Sequence, residues 1–196
     1  MEKITFKDKR ALNMFRVAGN CTESQLNSII SLNRIKNWQA EGLIKKESYI
    51  DKSISKTKSC KAYRLTDKGK QVACKALHKD KGSFTTGKHQ IRHNVAVAEQ
   101  YTKLDKESQI DAMNESDQYR YYTDQALQLI EHGHKDEGEE LLEQLQTCSF
   151  LDMIVITETE TIAIEIATSN YTSSDLIEHQ HTSTIIQATS YQVVSI

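Results

Sequence analysis

The formal charges of this 196-residue chain are segregated along its length. Residues 1–98 hold 21 Lys and Arg against 8 Asp and Glu, and residues 99–196 hold 4 against 19. The overall net charge of −2 therefore conceals a half at +13 followed by a half at −15. A length of this order suits one large domain or two small ones, and the charge division points to two. A basic body of this density is the footprint of a polyanionic partner, because each Lys or Arg brought near a phosphate releases condensed counterions. The competing reading is a well-solvated surface, so the organisation of the basic half has to decide.

Several classes are disfavoured at the outset. No run approaches the roughly 20 consecutive apolar residues that cross a bilayer, and the opening MEKITFKDKR lacks the apolar core of a signal peptide. A soluble, cytoplasmic protein without membrane association is expected. Cys21, Cys60, Cys74 and Cys148 are too scattered for a zinc pattern and too few for a disulfide framework, so they read as reduced thiols. With no proline in the chain, turns fall to Gly, Asn, Asp and Ser.

The basic half carries a succession of helix signals. KDKRALNMFRVA (7–18) places Ala11, Leu12, Met14, Phe15 and Val17 at helical spacing with one buried face, and Gly19 and Asn20 stop it. Thr22 with Gln25 three residues on forms a capping box opening a short helix to about Ile30. Ser31 caps a third helix, LNRIKNWQAE, ending at Gly42; Ile35, Trp38 and Leu43 point inward while Asn33, Arg34, Lys36 and Asn37 face out. LIKKESYI (43–50) and CKAYRLT (60–66) read as a hairpin around the polar DKSISKTKS, which holds Lys52, Lys56 and Lys58. Thr66 then caps DKGKQVACKAL, returning Val72, Ala73 and Leu77 to the core.

That order of elements, with the phrases AEGLIKK and YRLTDKGKQVA, resembles winged helix-turn-helix DNA-binding domains over about residues 5–79. The resemblance implies a domain at 1–80 whose third helix, beginning at Ser31, enters the major groove of double-stranded DNA. Arg34 has the donors for a bidentate contact with guanine, and Asn33 and Asn37 have those for adenine edges. Lys36, Lys45, Lys46, Lys52, Lys56 and Lys58 are suited to phosphate, which adds affinity without reading sequence.

In the acidic half, TTGKHQIRHNVAVAEQYTKL (85–104) reads as an amphipathic linking helix. Its His89 and His93 lie four apart but outside any HExxH frame, and a polar face accounts for them. QIDAMNESDQ is expected to hold a strand. YYTDQALQLIEHG and HKDEGEELLEQLQ read as acidic helices broken near Gly133, with His132 and His134 as solvated helix ends. MIVI and TIAIEIA form a hairpin across the turn TETE, SNYTSSDLIEHQHTSTIIQA a loop and helix, and YQVVSI a last strand. Asp152 enters the first of these strands and Glu165 lies between Ile164 and Ile166 in the second. A carboxylate so placed is costly unless paired or bound to a cation.

Strand, turn, strand, helix, strand with these two carboxylates resembles the core of PD-(D/E)XK nucleases, implying Mg²⁺ held by Asp152 and Glu165. The chain departs from that pattern at the supporting lysine, which is Ala167 here, and at Leu151 in place of proline. No Lys or Arg follows Lys135. Removing one such electrostatic partner costs on the order of 10²-fold in rate, so a fold without catalysis, metal or cofactor is expected. As a whole, with HNVAVAEQY, LDMIVI and ETIAIEIATSNY, the chain resembles the replication-relaxation family of plasmids and other mobile elements.

The expected fold is α+β, an N-terminal winged helix at 1–80 followed by an acidic α/β domain with a mixed sheet at 85–196. The expected function is sequence-specific binding of double-stranded DNA to control replication, transfer or transcription, as a homodimer on half-sites about one helical turn apart. The acidic domain would serve dimerisation or docking of a protein partner, since a surface of that charge is repelled by DNA. One alternative is an Mg²⁺-dependent endonuclease using Asp152 and Glu165. Another is an acidic interaction or inhibitor module whose carboxylates along EHGHKDEGEELLEQ occupy a basic groove.

Overall fold

The computed structural model describes residues 3–51, 58–85 and 91–196. The chain is mixed α and β, and it divides into two compact units, Met1–Ala112 with Ile196, and Met113–Ser195. None of the described helices is long and apolar enough to cross a membrane.

In the first unit, helix α1 (Phe6–Ala18) opens on a capping box in which the Thr5 hydroxyl and the Asp8 carboxylate exchange bonds with each other's backbone N–H. Strand β1 (Asn20–Cys21), helix α2 (Glu23–Asn27) and helix α3 (Leu32–Ala40) follow. Thr22 and Gln25 form the expected box at the start of α2. This helix ends at Asn27 instead of near Ile30, because Ile29 and Ile30 leave it for the core and are almost wholly buried. Ser31 caps α3, and Gly42 at φ 71° makes the left-handed turn beyond it that other residues adopt with strain.

Strands β2 (Ile44–Asp51) and β3 (Lys58–Leu65) are antiparallel, with Lys45 opposite Arg64 and Lys46 opposite Tyr63. The two-residue β1, which no sequence signal marked, pairs with the other side of β3 and completes a sheet of order β1-β3-β2. Thr66 caps helix α4 (Asp67–Leu77), of which Ala73 is fully buried while Val72 and Leu77 are only partly covered. Helices α5 (Ile91–Lys103) and α6 (Lys106–Asp111) close the unit against α1.

Helix α1 departs from the one-faced expectation, being buried on every side from Arg10 to Ala18. Helices α4, α5 and α6 all pack on it, so its polar residues need internal partners. Asn13 Nδ2 donates to the Gln109 and Ile110 carbonyls at 2.8 and 3.1 Å, and Arg16 Nη2 donates to the Ala112 carbonyl at 2.7 Å. These are the orphan acceptors at the end of α6, where a cation is also favoured by the helix dipole. Arg10 Nε donates to Gln109 Oε1 at 2.7 Å.

The segment QIDAMNESDQ is helical over most of its length, contrary to the strand expected there. Asp105 caps α6 through the Glu107 and Ser108 amides, and Asn114 caps the next helix, so two helix starts leave only a single bridge, Met113 to Ile154.

The second unit contains helices α7 (Glu115–Glu131) and α8 (Lys135–Thr147), strands β4 (Met153–Ile156) and β5 (Thr161–Ala167), helix α9 (Ser173–Ile185) and strand β6 (Ser190–Ser195). Strand order is β4-β5-β6. The β4–β5 pair is an antiparallel hairpin, and β6 is parallel to β5, with α9 as the crossover that a parallel neighbour requires. Tyr122, Leu145, Leu151, Ile154, Ala163 and Ile186 form its apolar core.

Candidate functional site

Helix α3 and the neighbouring strand β2 carry most of the residues of the first unit that the sequence singles out. Ile35 and Trp38 are 1% exposed and anchor the helix, which fixes the opposite face outward. Asn33, Lys36 and Asn37 lie on that exposed face. Ser31 Oγ accepts the Arg34 amide at 3.3 Å, so the serine is occupied as a helix cap.

Arg34 differs from the outward orientation expected for it. Its Nε lies 2.9 Å from Asp8 Oδ1 and its Nη2 3.0 Å from Asp8 Oδ2, and its side chain is only 13% exposed. The guanidinium carbon also sits 6.0 Å from the centre of the Trp38 ring. Asp8 is buried on α1 and receives the Thr5 amide and hydroxyl as well, both at 2.8 Å. Burial works to raise its carboxyl, but hydrogen bonds from Arg34 and Thr5 outweigh that and hold it below the usual carboxylate range. Arg34 is a strut between the first and third helices.

The other arginines of the first 80 residues are absorbed in the same way. Arg10 and Arg16 are buried on α1, and Arg64 bonds Glu47 across the hairpin. Burial lowers Arg16 to about 10, which leaves it a cation at neutral pH. Outward positive charge on the first 80 residues therefore comes mainly from lysines.

On the hairpin, Lys45 Nζ lies 3.7 Å from Glu47 and Lys46 Nζ 3.5 Å from Glu23, with the lysines 50% and 44% exposed. Lys46 also sits over the Tyr63 ring at 5.1 Å, and the Tyr63 hydroxyl donates to Glu23 at 2.7 Å. That hydroxyl first, and Lys46 second, hold Glu23 below the ordinary carboxylate value. Exposed pairs of this kind are screened by solvent and contribute little, so either lysine can exchange its carboxylate for a phosphate at small cost. The buried Arg34 pair is several-fold more expensive to break. Lys52 and Lys56 lie outside the described residues, as does the side chain of Lys58, which opens β3.

The second unit brings Asp152 and Glu165 together at the open end of the β4–β5 ladder. The Asp152 amide donates to Glu165 Oε2 at 3.2 Å and the Ile166 amide donates to Asp152 Oδ2 at 2.8 Å, so the side chains continue the pairing where the backbone ladder stops. Glu165 is 1% exposed. Its Oε1 accepts the Tyr171 hydroxyl at 2.5 Å and lies 3.5 Å from His179 Nε2, and the Tyr171 and His179 rings stack with centroids 5.8 Å apart. Burial first, and the nearby Asp152 charge second, raise the Glu165 carboxyl; burial and the bond to Glu165 keep Tyr171 a phenol.

No family model, curated protein or solved structure matches the chain in comparison. Its chemistry has to be read from the residues themselves.

Mg²⁺ takes octahedral oxygen ligands and keeps several waters. Both Glu165 oxygens already accept protein donors and one Asp152 oxygen holds a backbone amide. Both carboxylates are therefore already engaged in closing the end of the hairpin. No group of three His, Cys, Asp or Glu side chains suited to a metal occurs among the described residues. Sequence reasoning missed Tyr171 and His179, which come from the loop and helix after β5. The one available signal was the cost of Glu165 in an apolar strand, which demands partners without naming them.

The histidines that the sequence drew attention to are simply placed. His132 Nδ1 lies 2.7 Å from the Gln128 carbonyl and His134 Nδ1 3.2 Å from Glu137, both at helix ends. His93 is on α5, and His89 lies outside the described residues.

Proposed function

We propose that this chain is a sequence-specific double-stranded DNA-binding protein of a plasmid or other mobile element, acting without catalysis in control of replication, transfer or transcription. The observation that carries the reading is the outward face of α3, where Asn33, Lys36 and Asn37 stand exposed, together with the exposed Lys45 and Lys46 of β2, in the basic half of the chain. Three helices, a hairpin and a further helix in this order support the winged helix-turn-helix resemblance, with α3 as the element for the major groove.

Because Arg34 is committed to Asp8, base reading falls to Asn33 and Asn37, whose amides match the adenine edge, while the lysines supply phosphate contacts. The absence of a lysine at Ala167 and the occupied oxygens of Glu165 support the non-catalytic reading of the nuclease-like sheet. Localisation in the cytoplasm follows from that role.

The test is selection of sites from randomised duplex DNA, repeated at two salt concentrations. Enrichment of one sequence, with a salt slope reporting several phosphate contacts, is the expected result. Failure of the full chain to bind any duplex at low salt overturns the proposal. Incubation of plasmid DNA with Mg²⁺ or Mn²⁺ is expected to leave it unnicked.

A further inference from the structure

A sheet edge exposes a row of unpaired N–H and C=O groups, and proteins blunt such edges with short strands, charges or a covering segment. Three of the four sheet edges among the described residues are blunted. Strand β1 is two residues long and buried. Strand β2 carries Lys45, Lys46 and Glu47. The outer side of β4 is covered where Met113 exchanges both backbone bonds with Ile154, at 2.8 and 3.0 Å.

Strand β6 has none of these devices. It is last in the order β4-β5-β6, six residues long, and pairs only with β5 among the described residues. Its sequence SYQVVS has no charge, proline or glycine, and Gln192, Val193 and Ser195 are exposed, Val193 at 42%. It lies within residues 179–196, the longest run of the chain free of Asp, Glu, Lys and Arg. The unit around it carries 15 Asp and Glu against only Arg120 and Lys135.

We propose that β6 is the self-association edge of this protein, pairing antiparallel with β6 of a second copy to join two three-stranded sheets across a two-fold axis. The charge pattern selects this occupant. Two copies of so acidic a unit repel each other over most of their surface, and the uncharged strand is where they can meet without opposing carboxylates. Directly opposed residues of an antiparallel pair have the same hydrogen-bonding orientation, which alternates along the strand. A symmetric pair is therefore centred on a residue, and Gln192 or Val193 then faces its own copy. Such an isologous contact uses up both edges and stops at a dimer. The argument stands on the strand edge and is independent of DNA binding.

The test uses the full chain without DNA, in sedimentation equilibrium across the micromolar range. A monomer–dimer equilibrium is expected, weakened about tenfold by Val193→Glu, which sets like charges directly opposite or diagonal to each other across the pair. Val193→Thr should dimerise as the native chain does. Hydrogen exchange of the native protein should show the amides of residues 190–195 slowing as concentration rises. That readout needs no variant, so it holds even if Val193→Glu misfolds. A chain that stays monomeric, a dimer whose 190–195 amides exchange at the monomer rate, or growth beyond the dimer each overturns the proposal.

Discussion

Arg34 on the third helix closes a two-point contact on Asp8 of the first, at 2.9 and 3.0 Å, beneath the surface proposed to face DNA. Loss of one partner of a buried pair strands the other charge, at a cost of about 3 kcal/mol. Asp8→Ala and Arg34→Ala should each destabilise the first unit on that scale in urea denaturation followed by Trp38 fluorescence. The double variant should cost less than the sum, because the second change removes a charge already stranded. Since Asp8 titrates below its usual range in the fold, its stabilisation is present above about pH 4 and fades as pH falls through the lowered value. Arg34→Ala should show a shallower acid transition. Additive single effects would remove the strut.

Lys36 and Asn37 are neighbours on the outward face of α3 with different proposed tasks. Lys36→Ala should weaken binding to all duplexes alike and reduce the salt slope by about one unit. Asn37→Ala should cost about 1–3 kcal/mol on the preferred site and little elsewhere. Fluorescence anisotropy on selected and scrambled duplexes separates the two. The assignment fails if both variants lose affinity uniformly.

Gly69 stands in the phrase LTDKGKQ at the first turn of α4, and a Cβ built on it would lie 2.0 Å from the Leu43 carbonyl oxygen. Backbone, unlike a flexible side-chain tip, cannot swing away. Gly69→Ala should therefore destabilise the first unit by about 1–3 kcal/mol despite its better helix propensity. A melting temperature equal to or above the native one would show that α4 can shift without penalty.

These cases mark where the sequence was legible. The cap at Thr22 and the turn at Gly42 are local devices written within a few residues, and the structure carries both. The β4–β5 hairpin was equally plain from two β-rich runs around TETE. Arg34 was misread because its partner lies 26 positions away, and exposure inferred from helical spacing knows nothing of a distant buried carboxylate. The polar side of α1 was hidden for the same reason, since the carbonyls that satisfy it belong to α6. Strand β1 is too short to carry a periodicity. Asp152 and Glu165 were visible as acids in apolar surroundings, whereas Tyr171 and His179 became their neighbours only through the loop and helix that follow.

Glu165 provides a test of that cluster through pH. Burial raises its carboxyl, so the folded state keeps the proton to higher pH than the unfolded chain does. Where the folded state binds more protons, stability falls as pH rises, by up to about 1.4 kcal/mol per pH unit for one group. The loss begins above the ordinary glutamate value, about pH 4.3, and ends once Glu165 ionises within the fold. Glu165→Gln removes the titration while keeping an acceptor for the Tyr171 hydroxyl. Its stability relative to the native protein should therefore improve as pH rises above about 4.5, until Glu165 ionises within the fold. Thermal melts of both proteins across that range, with hydrogen exchange of β5 to localise the effect, would measure it. Parallel curves would mean that Glu165 ionises in the fold as it does in the unfolded chain, and that its bonds to Tyr171 and Asp152 fully offset its burial.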